Sequence, residues 1–474
     1  MTMAEEKSPV ETCKETLSIQ QAVEDFPDEP PAEQELDEAD LVDARCEAVE
    51  ANKKTFFQKL GPGLITGVAD DDPSGIGTYS VAGAQFGYGL LWLVPVCIPL
   101  MIAVQEMCGR IGAVTGKGLA GVLKEHYPKW MLFGAVFLLI GANVANVYAD
   151  LNVMAASAQM LLGLPFHFWL AFITLTIILL QVFVPYHKYV KILKWLALAL
   201  LSYVVTAFWP GVHHDWVATA RGFIPHWSSS PVFILTVVGF LGTTISPYLF
   251  FWQAGETVED EIAEGAAIEP GRRIRRVKNS EIRAIRTDTI VGMVASQVAT
   301  FFIMICTAAT LHASGKTDIN TAQDAAMALK PLGNAAYVLF TVGILGTGLL
   351  AIPTLTGSVA YAVSETMGWR YGLYRRFSRA DKFYWTIIAV TIAGYLFNFY
   401  QKFSPIKALL YSAVLNAVVA PPLIVLLLLI CNNRKVMGGQ SNRFTSNLFG
   451  WLAAGLMGTA ACVMFYALVT GKLN

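Results

Sequence analysis

Charge is scarce in this chain, and paired cysteines are missing. Only 15% of its 474 residues are Asp, Glu, Lys or Arg, where a soluble domain carries about 25%. With 55% hydrophobic residues and a mean hydropathy of +0.50, that deficit excludes a soluble globular protein and implies a polytopic, all-α membrane protein. The seven cysteines, Cys13, Cys46, Cys97, Cys108, Cys306, Cys431 and Cys462, fall at irregular spacing without a C-x-x-C pair. A zinc or redox motif is therefore excluded, and the cysteines read as small core hydrophobes. No signal peptide is visible. Histidine at membrane depth is missing as well. His126, His167, His187, His213, His214, His226 and His312 all fall in loops or at span ends, so the side chain best placed to titrate near neutrality is not available mid-membrane.

What charge there is lies unevenly. The first 50 residues hold 16 Asp/Glu against Lys7, Lys14 and Arg45 and no apolar run, the composition of a disordered acidic tail, taken as residues 1–52. The rest, residues 53–474, holds the apolar segments. Eleven spans of suitable length are read at roughly 60–86, 89–112, 131–160, 165–185, 189–209, 231–258, 288–312, 333–361, 383–399, 407–431 and 446–470. With the N-terminus placed in the cytoplasm, the inside loops hold 22 Lys/Arg, including seven between Arg272 and Arg286, and the outside loops and C-terminus hold six. The bias predicts a cytoplasmic N-terminus, an external C-terminus and a solvated cytoplasmic loop over Gly271–Arg286. A nucleic-acid role for that basic loop is not expected.

Two spans are interrupted. In span 1, Asp70-Asp71-Asp72-Pro73-Ser74-Gly75 sits inside an apolar run. A carboxylate at membrane depth costs roughly 2.5–3.5 kcal/mol on insertion scales, and a proline with nearby glycines frees backbone carbonyls beside it. In span 6, Thr243-Thr244-Ile245-Ser246-Pro247-Tyr248 places a proline and three hydroxyls in mid-run. Breaks in spans 1 and 6 occupy corresponding positions of two five-helix halves, the sequence pattern that marks a midplane site in secondary transporters. A plain proline kink is the alternative for the second break. Adjacent residues on a helix point about 100° apart, so the three aspartates are not expected to face one ion together. Asp72 is the first candidate, and Asp71 lines the approach or couples to it.

At these residues the chain resembles the Nramp family of divalent-metal transporters. Gly61-Pro62-Gly63, followed by Asp72-Pro73, is similar to the family's G-P-G…D-P-G-N signature. Gln105, Arg110, Val114-Thr115-Gly116-Lys117 and Tyr127-Pro128 resemble the end of its second span and the next loop, and the span 6 break resembles its A-T-V-M-P-H. The resemblance covers about residues 55–470. It implies a LeuT-like fold, with two inverted repeats (about 55–210 and 230–431), broken helices 1 and 6, and an eleventh helix at 446–470. It implies Asp72 as the metal ligand and the backbone carbonyls of Ala69 and Thr243 as further donors.

The departures carry the selectivity argument. Gly75 stands for the family's asparagine, Ser246 for its methionine, Tyr248 for its first histidine and Gln253 for its second. Val147 stands for the first acid of span 3, with Asp150 at the second, and Ala413 stands for a span 10 glutamine, with Asn416 one turn on. A thioether favours softer metals, whereas Mg2+ takes oxygen and keeps several waters. Gly75 is expected to widen the site and Ser246 to offer oxygen or room for water. This pattern resembles the Nramp-related magnesium transporters. The expected activity is alternating-access transport of Mg2+ and Mn2+ across the plasma membrane without proton coupling, by a monomer with no cofactor. The metal set is Asp72, Ala69, Thr243, Gly75, Ser246 and Asp71. Asp150, Glu256, Tyr248 and Gln253 are candidates for proton or vestibule roles, and a hydrogen bond to Asn146 is the structural alternative for Asp150. A proton-coupled Mn2+/Fe2+ importer is the second reading and a sodium-coupled amino-acid transporter the third.

Overall fold

The computed structural model describes Gly67 and residues 70–184, 200–210, 212–263, 267–273, 277–333, 335–400 and 403–469. The helices that matter here are α1 (Pro73–Phe86), α2 (Leu93–Thr115), α3 (Leu119–His126), α4 (Lys129–Leu162), α5 (Phe166–Phe183), α6 (Leu201–Ala207), α7 (Pro231–Thr244), α8 (Pro247–Ala263), α9 (Asn279–Thr307), α10 (Ala335–Met367), α11 (Asp381–Tyr400), α12 (Pro405–Asn432) and α13 (Phe444–Val469). Among the described residues nine helices, counting α7–α8 as one, are long and apolar enough to cross a bilayer. Of the eleven expected spans, the first is described at Gly67 and from Asp70 onward, and the fifth only from residue 200 onward; Ala69 and the acidic tail lie outside the described set.

Burial separates an inner layer from a lipid-facing one. In the most apolar 18-residue stretch of each, 89% of the residues of α7–α8 are buried, against 28% in α5 and in α13. Phe168, Phe172, Leu175 and Leu179 on α5 are exposed, as a helix apolar all round requires when one side meets lipid. The inner helices pack directly: α4 against α10, α12 and α11, α7 against α12, and α1 against α9, α12 and α7. Close approach needs small residues. A Cβ at Gly242 would lie 1.9 Å from the Ala413 carbonyl, so α7 and α12 touch backbone to backbone.

Both interruptions are real breaks. Asp72 is extended (φ −67°, ψ 170°) and caps α1, with Pro73 in its first turn, where a missing N–H costs nothing. Helix α7 ends at Ile245 (φ −118°, ψ 69°), and α8 starts afresh at Pro247.

The basic stretch expected as a loop over Gly271–Arg286 is different. Ala267–Glu269 and Arg272–Arg273 pair as a short antiparallel hairpin, and α9 begins at Asn279, well before the apolar run. Glu281 accepts the Lys278 N–H at 2.9 Å, and that capping contact lets a polar turn continue the helix.

Candidate cation site

Asp72 is held at the mouth of α1. Its Oδ1 accepts the Gly75 N–H at 2.6 Å, and the Ser74 N–H faces it too. Free N–H groups at a helix start favour an anion there. From α8, the Tyr248 hydroxyl donates to Asp72 Oδ2 at 3.4 Å. From α4, Asp150 is an electrostatic neighbour of both Asp72 and Tyr248, and the Ser74 N–H faces its carboxylate as well. Asp72 is 1% exposed, and Asp150 and Tyr248 are 0% exposed. The two interrupted helices and α4 therefore bring two carboxylates and a phenol to one buried point.

Asp71 finds its hydrogen-bond partner elsewhere. With Asp70 it turns to α9, where one hydroxyl, Ser296 Oγ, donates to Asp70 Oδ2 at 2.9 Å and to Asp71 Oδ1 at 3.1 Å. The hydrogen bonds of the three aspartates are thus divided between two partner helices, while Asp71 stays an electrostatic neighbour of Asp72. Tyr79 ties the Asp70–Asp71 pair to the end of α7. Its hydroxyl bonds Thr244 Oγ1 at 3.2 Å and neighbours Asp70, Asp71 and Thr300.

Three expectations need correction. Ser246 was expected to offer oxygen or room for water; its hydroxyl donates backward to the Thr243 carbonyl at 2.7 Å and the Gly242 carbonyl at 3.1 Å, so it is turned to the backbone and not to the ion. It satisfies carbonyls freed by the break, including the Thr243 carbonyl expected to be exposed. Gly75 was expected to widen the site. A Cβ there would lie 3.2 Å from the Tyr79 ring and 3.3 Å from the Asp70 carbonyl, so Tyr79 already borders that space and Gly75 contributes its N–H. The structural alternative for Asp150 was a hydrogen bond to Asn146. Instead Asn146 and Asn416 bond each other in both directions, at 2.9 and 3.2 Å, joining α4 to α12.

Gln253 and Glu256 sit further along α8. Gln253 faces α2 at Gly109. Glu256 neighbours Glu259 and Asp260, about 12 Å along the axis from Tyr248 at 1.5 Å per residue. Neither reaches Asp72. Sequence reasoning did not single out Ser74, Tyr79 or Ser296. The signal for the last was present: Gly292, Ser296 and Thr300 recur every fourth residue along one stripe of α9.

An open cavity of about 680 Å³, lined in part by Asn152, Gln159, Gln323 and Asn398, lies beside α4. It is off the site, because Asn152 and Asp150 differ by about 200° around the helix. Among the described residues no group of three or more His, Cys, Asp or Glu is arranged to hold a metal. Around Asp72 the donors are two carboxylates and neutral oxygens, a set suited to a hard ion that keeps part of its water.

Residues 63–467 match the family described as natural resistance-associated macrophage protein-like, or Nramp. The chain belongs to the Nramp family. Its relatives include the divalent metal cation transporter MntH of Deinococcus radiodurans, 26% identical over 444 residues, covering 91% of this chain and 94% of the relative. The protein of the same description from Listeria innocua is 28% identical over 329 residues, covering 66% and 69%. Among solved structures, the Eremococcus coleocola manganese transporter in complex with an aromatic bis-isothiourea compound superposes with a TM-score of 0.67 at 20% identity, covering 88% of each chain. Mhp1, a nucleobase-cation-symport-1 family transporter, superposes with a TM-score of 0.53 at 12% identity, covering 86% and 92%. The fold is the LeuT-like fold of Nramp proteins, with the interrupted helices at the first and sixth spans.

Proposed function

We propose that this Nramp protein moves divalent cations, Mg2+ and Mn2+, across the plasma membrane by alternating access and without coupling to protons. The observation that carries the reading is the donor set at Asp72: Asp150, the Tyr248 hydroxyl and backbone groups surround it. Among the described residues no thioether or imidazole is recorded facing it. Oxygen donors do not favour soft metals, and Mg2+ accepts them while keeping water. The described histidines sit at helix ends or in loops, which thins any titrating relay. The names of the relatives, divalent metal cation transporter and manganese transporter, support metal as the substrate class. In this reading residues 1–52 form a cytoplasmic acidic tail, residues 53–474 form one transport domain with an external C-terminus, and the protein works as a monomer without a cofactor.

The test is uptake by purified protein in liposomes with a pH-sensitive dye inside. Mg2+ at millimolar level should compete with Mn2+ uptake, without acidification. Asp72→Ala should abolish uptake while the protein stays monodisperse. If Mg2+ fails to compete, or Asp72→Ala still transports it, the reading is wrong. A proton-coupled Mn2+/Fe2+ importer is the second reading, favoured by the retained acid Asp150 and by the relatives' names. Metal-driven acidification would establish it.

A further inference from the structure

Asp150 has an unusual set of surroundings. It is 0% exposed, and among the described residues neither carboxylate oxygen has a side-chain partner or a well-formed hydrogen bond. The Ser74 N–H faces it, and Asp72 faces the same N–H. One N–H cannot satisfy two carboxylates. The neighbour that would make Asp150 a structural acid is committed elsewhere, since Asn146 is closed in its reciprocal pair with Asn416. A buried carboxylate inside a membrane-spanning helix is costly unless something compensates it. The compensation has to come from the side where Asp72 and Tyr248 lie.

We propose that Asp150 is the second carboxylate of the transport site. On the reading that the cargo is a divalent cation, Asp72 from the broken first span and Asp150 from α4 together neutralise its charge. Tyr248 and retained water fill out the oxygen shell. Helix α4 then contributes selectivity as well as scaffold. A site of one carboxylate would leave a net positive complex in a low-dielectric interior, whereas two carboxylates leave a neutral one. Mg2+ commonly takes one or two carboxylates and keeps several waters, so Asp150 can act directly or through a single water.

The test is metal binding by Asp150→Asn in detergent, by calorimetry with Mg2+ and separately with Mn2+, together with liposome uptake. The variant should bind both metals roughly 10–100-fold more weakly, the range for loss of a supporting group at a metal site. Its KM should rise in step. Unchanged affinity for both metals overturns the proposal, and so does a variant that loses only metal-linked proton movement. If Asp150→Asn does not fold, wild-type protein with Mn2+ decides. The anomalous peak should lie within direct or single-water reach of both carboxylates, and a peak on Asp72 with Asp150 turned away overturns the proposal. Failure of the magnesium reading is distinguishable: wild-type protein would bind Mn2+ but not Mg2+, and the Asp150 comparison would still stand on Mn2+.

Discussion

Glu365, near the end of α10, should hold α3 in place. Its Oε1 accepts the Gly118 N–H at 2.6 Å and the Tyr371 hydroxyl at 2.9 Å, and its Oε2 accepts the Gly121 N–H at 2.9 Å. The Lys124 ammonium reaches the Glu365 carbonyl at 3.1 Å. The carboxylate, only 6% exposed, therefore sits where the N-terminal N–H groups of α3 point, a favourable place for an anion. Glu365→Ala leaves those two backbone donors without an acceptor. Each unsatisfied buried donor costs about 1–3 kcal/mol, so the docking of α3 should weaken by about 3 kcal/mol, or roughly 100-fold in its opening equilibrium at 1.4 kcal/mol per tenfold. Glu365→Gln should recover only part of this, because its NH2 group would face an N–H donor where an oxygen now accepts. Hydrogen exchange of the amides from Gly118 to Leu123 is the assay, with amides of α12 as an internal reference. Exchange in the Ala variant that stays within threefold of wild type would refute the clamp.

Three further outcomes follow from separate contacts. Gly242→Ala forces a methyl into the Ala413 carbonyl at 1.9 Å and should separate α7 from α12, lowering stability by about 1–3 kcal/mol. A thermal-shift series in which Ala equals Gly would contradict it. Ser246→Met removes the hydroxyl from the Gly242 and Thr243 carbonyls and adds a soft thioether. Competition uptake should shift toward Mn2+ or Cd2+ over Mg2+, and an unchanged ratio would count against a role for position 246 in selectivity. In the segment between α9 and α10, burial opposes ionisation of Asp324, but hydrogen bonds from Lys316, Thr321 and Asn320 outweigh it and hold its carboxyl at about 2. A lowered folded-state value stabilises above the unfolded value near 4 and is lost as pH falls through about 2. Protection of Asn320–Asp324 should thus be flat from pH 5 to 8 and fall only in acid, and Asp324→Asn should abolish that acid dependence.

How far the sequence revealed the molecule depended on whether the informative signal was local. Pro73 and Pro247 announce their breaks because proline cannot donate the helical N–H, and both breaks lie where the residues place them. Asp72 was legible for the same reason. Partners that come from distant helices were less legible. Ser246 could offer its hydroxyl to an ion or to the carbonyl three residues back, and sequence does not distinguish these. Local geometry favours the backbone, as it often does for serine in helices. Asn146 and Asp150 share a face of α4, which made a pair of them reasonable until Asn416 on α12 supplied an amide of better fit.

The three aspartates show why periodicity alone was insufficient. On a regular helix, adjacent side chains diverge by about 100°, and Asp70 and Asp71 would not share one hydroxyl donor. They do share Ser296, because the helix ends at Asp70, bends at Asp71 and is extended at Asp72. The bend keeps the first two on α9, and the extended residue swings the third toward α8 and α4. The break therefore does more than expose backbone. It sorts one acidic run into a pair fastened to a neighbouring helix and a single carboxylate delivered to the point where Tyr248 and Asp150 arrive. Substituting Pro73 by Ala, which permits a continuous helix, should undo that sorting and weaken metal binding even though every aspartate remains.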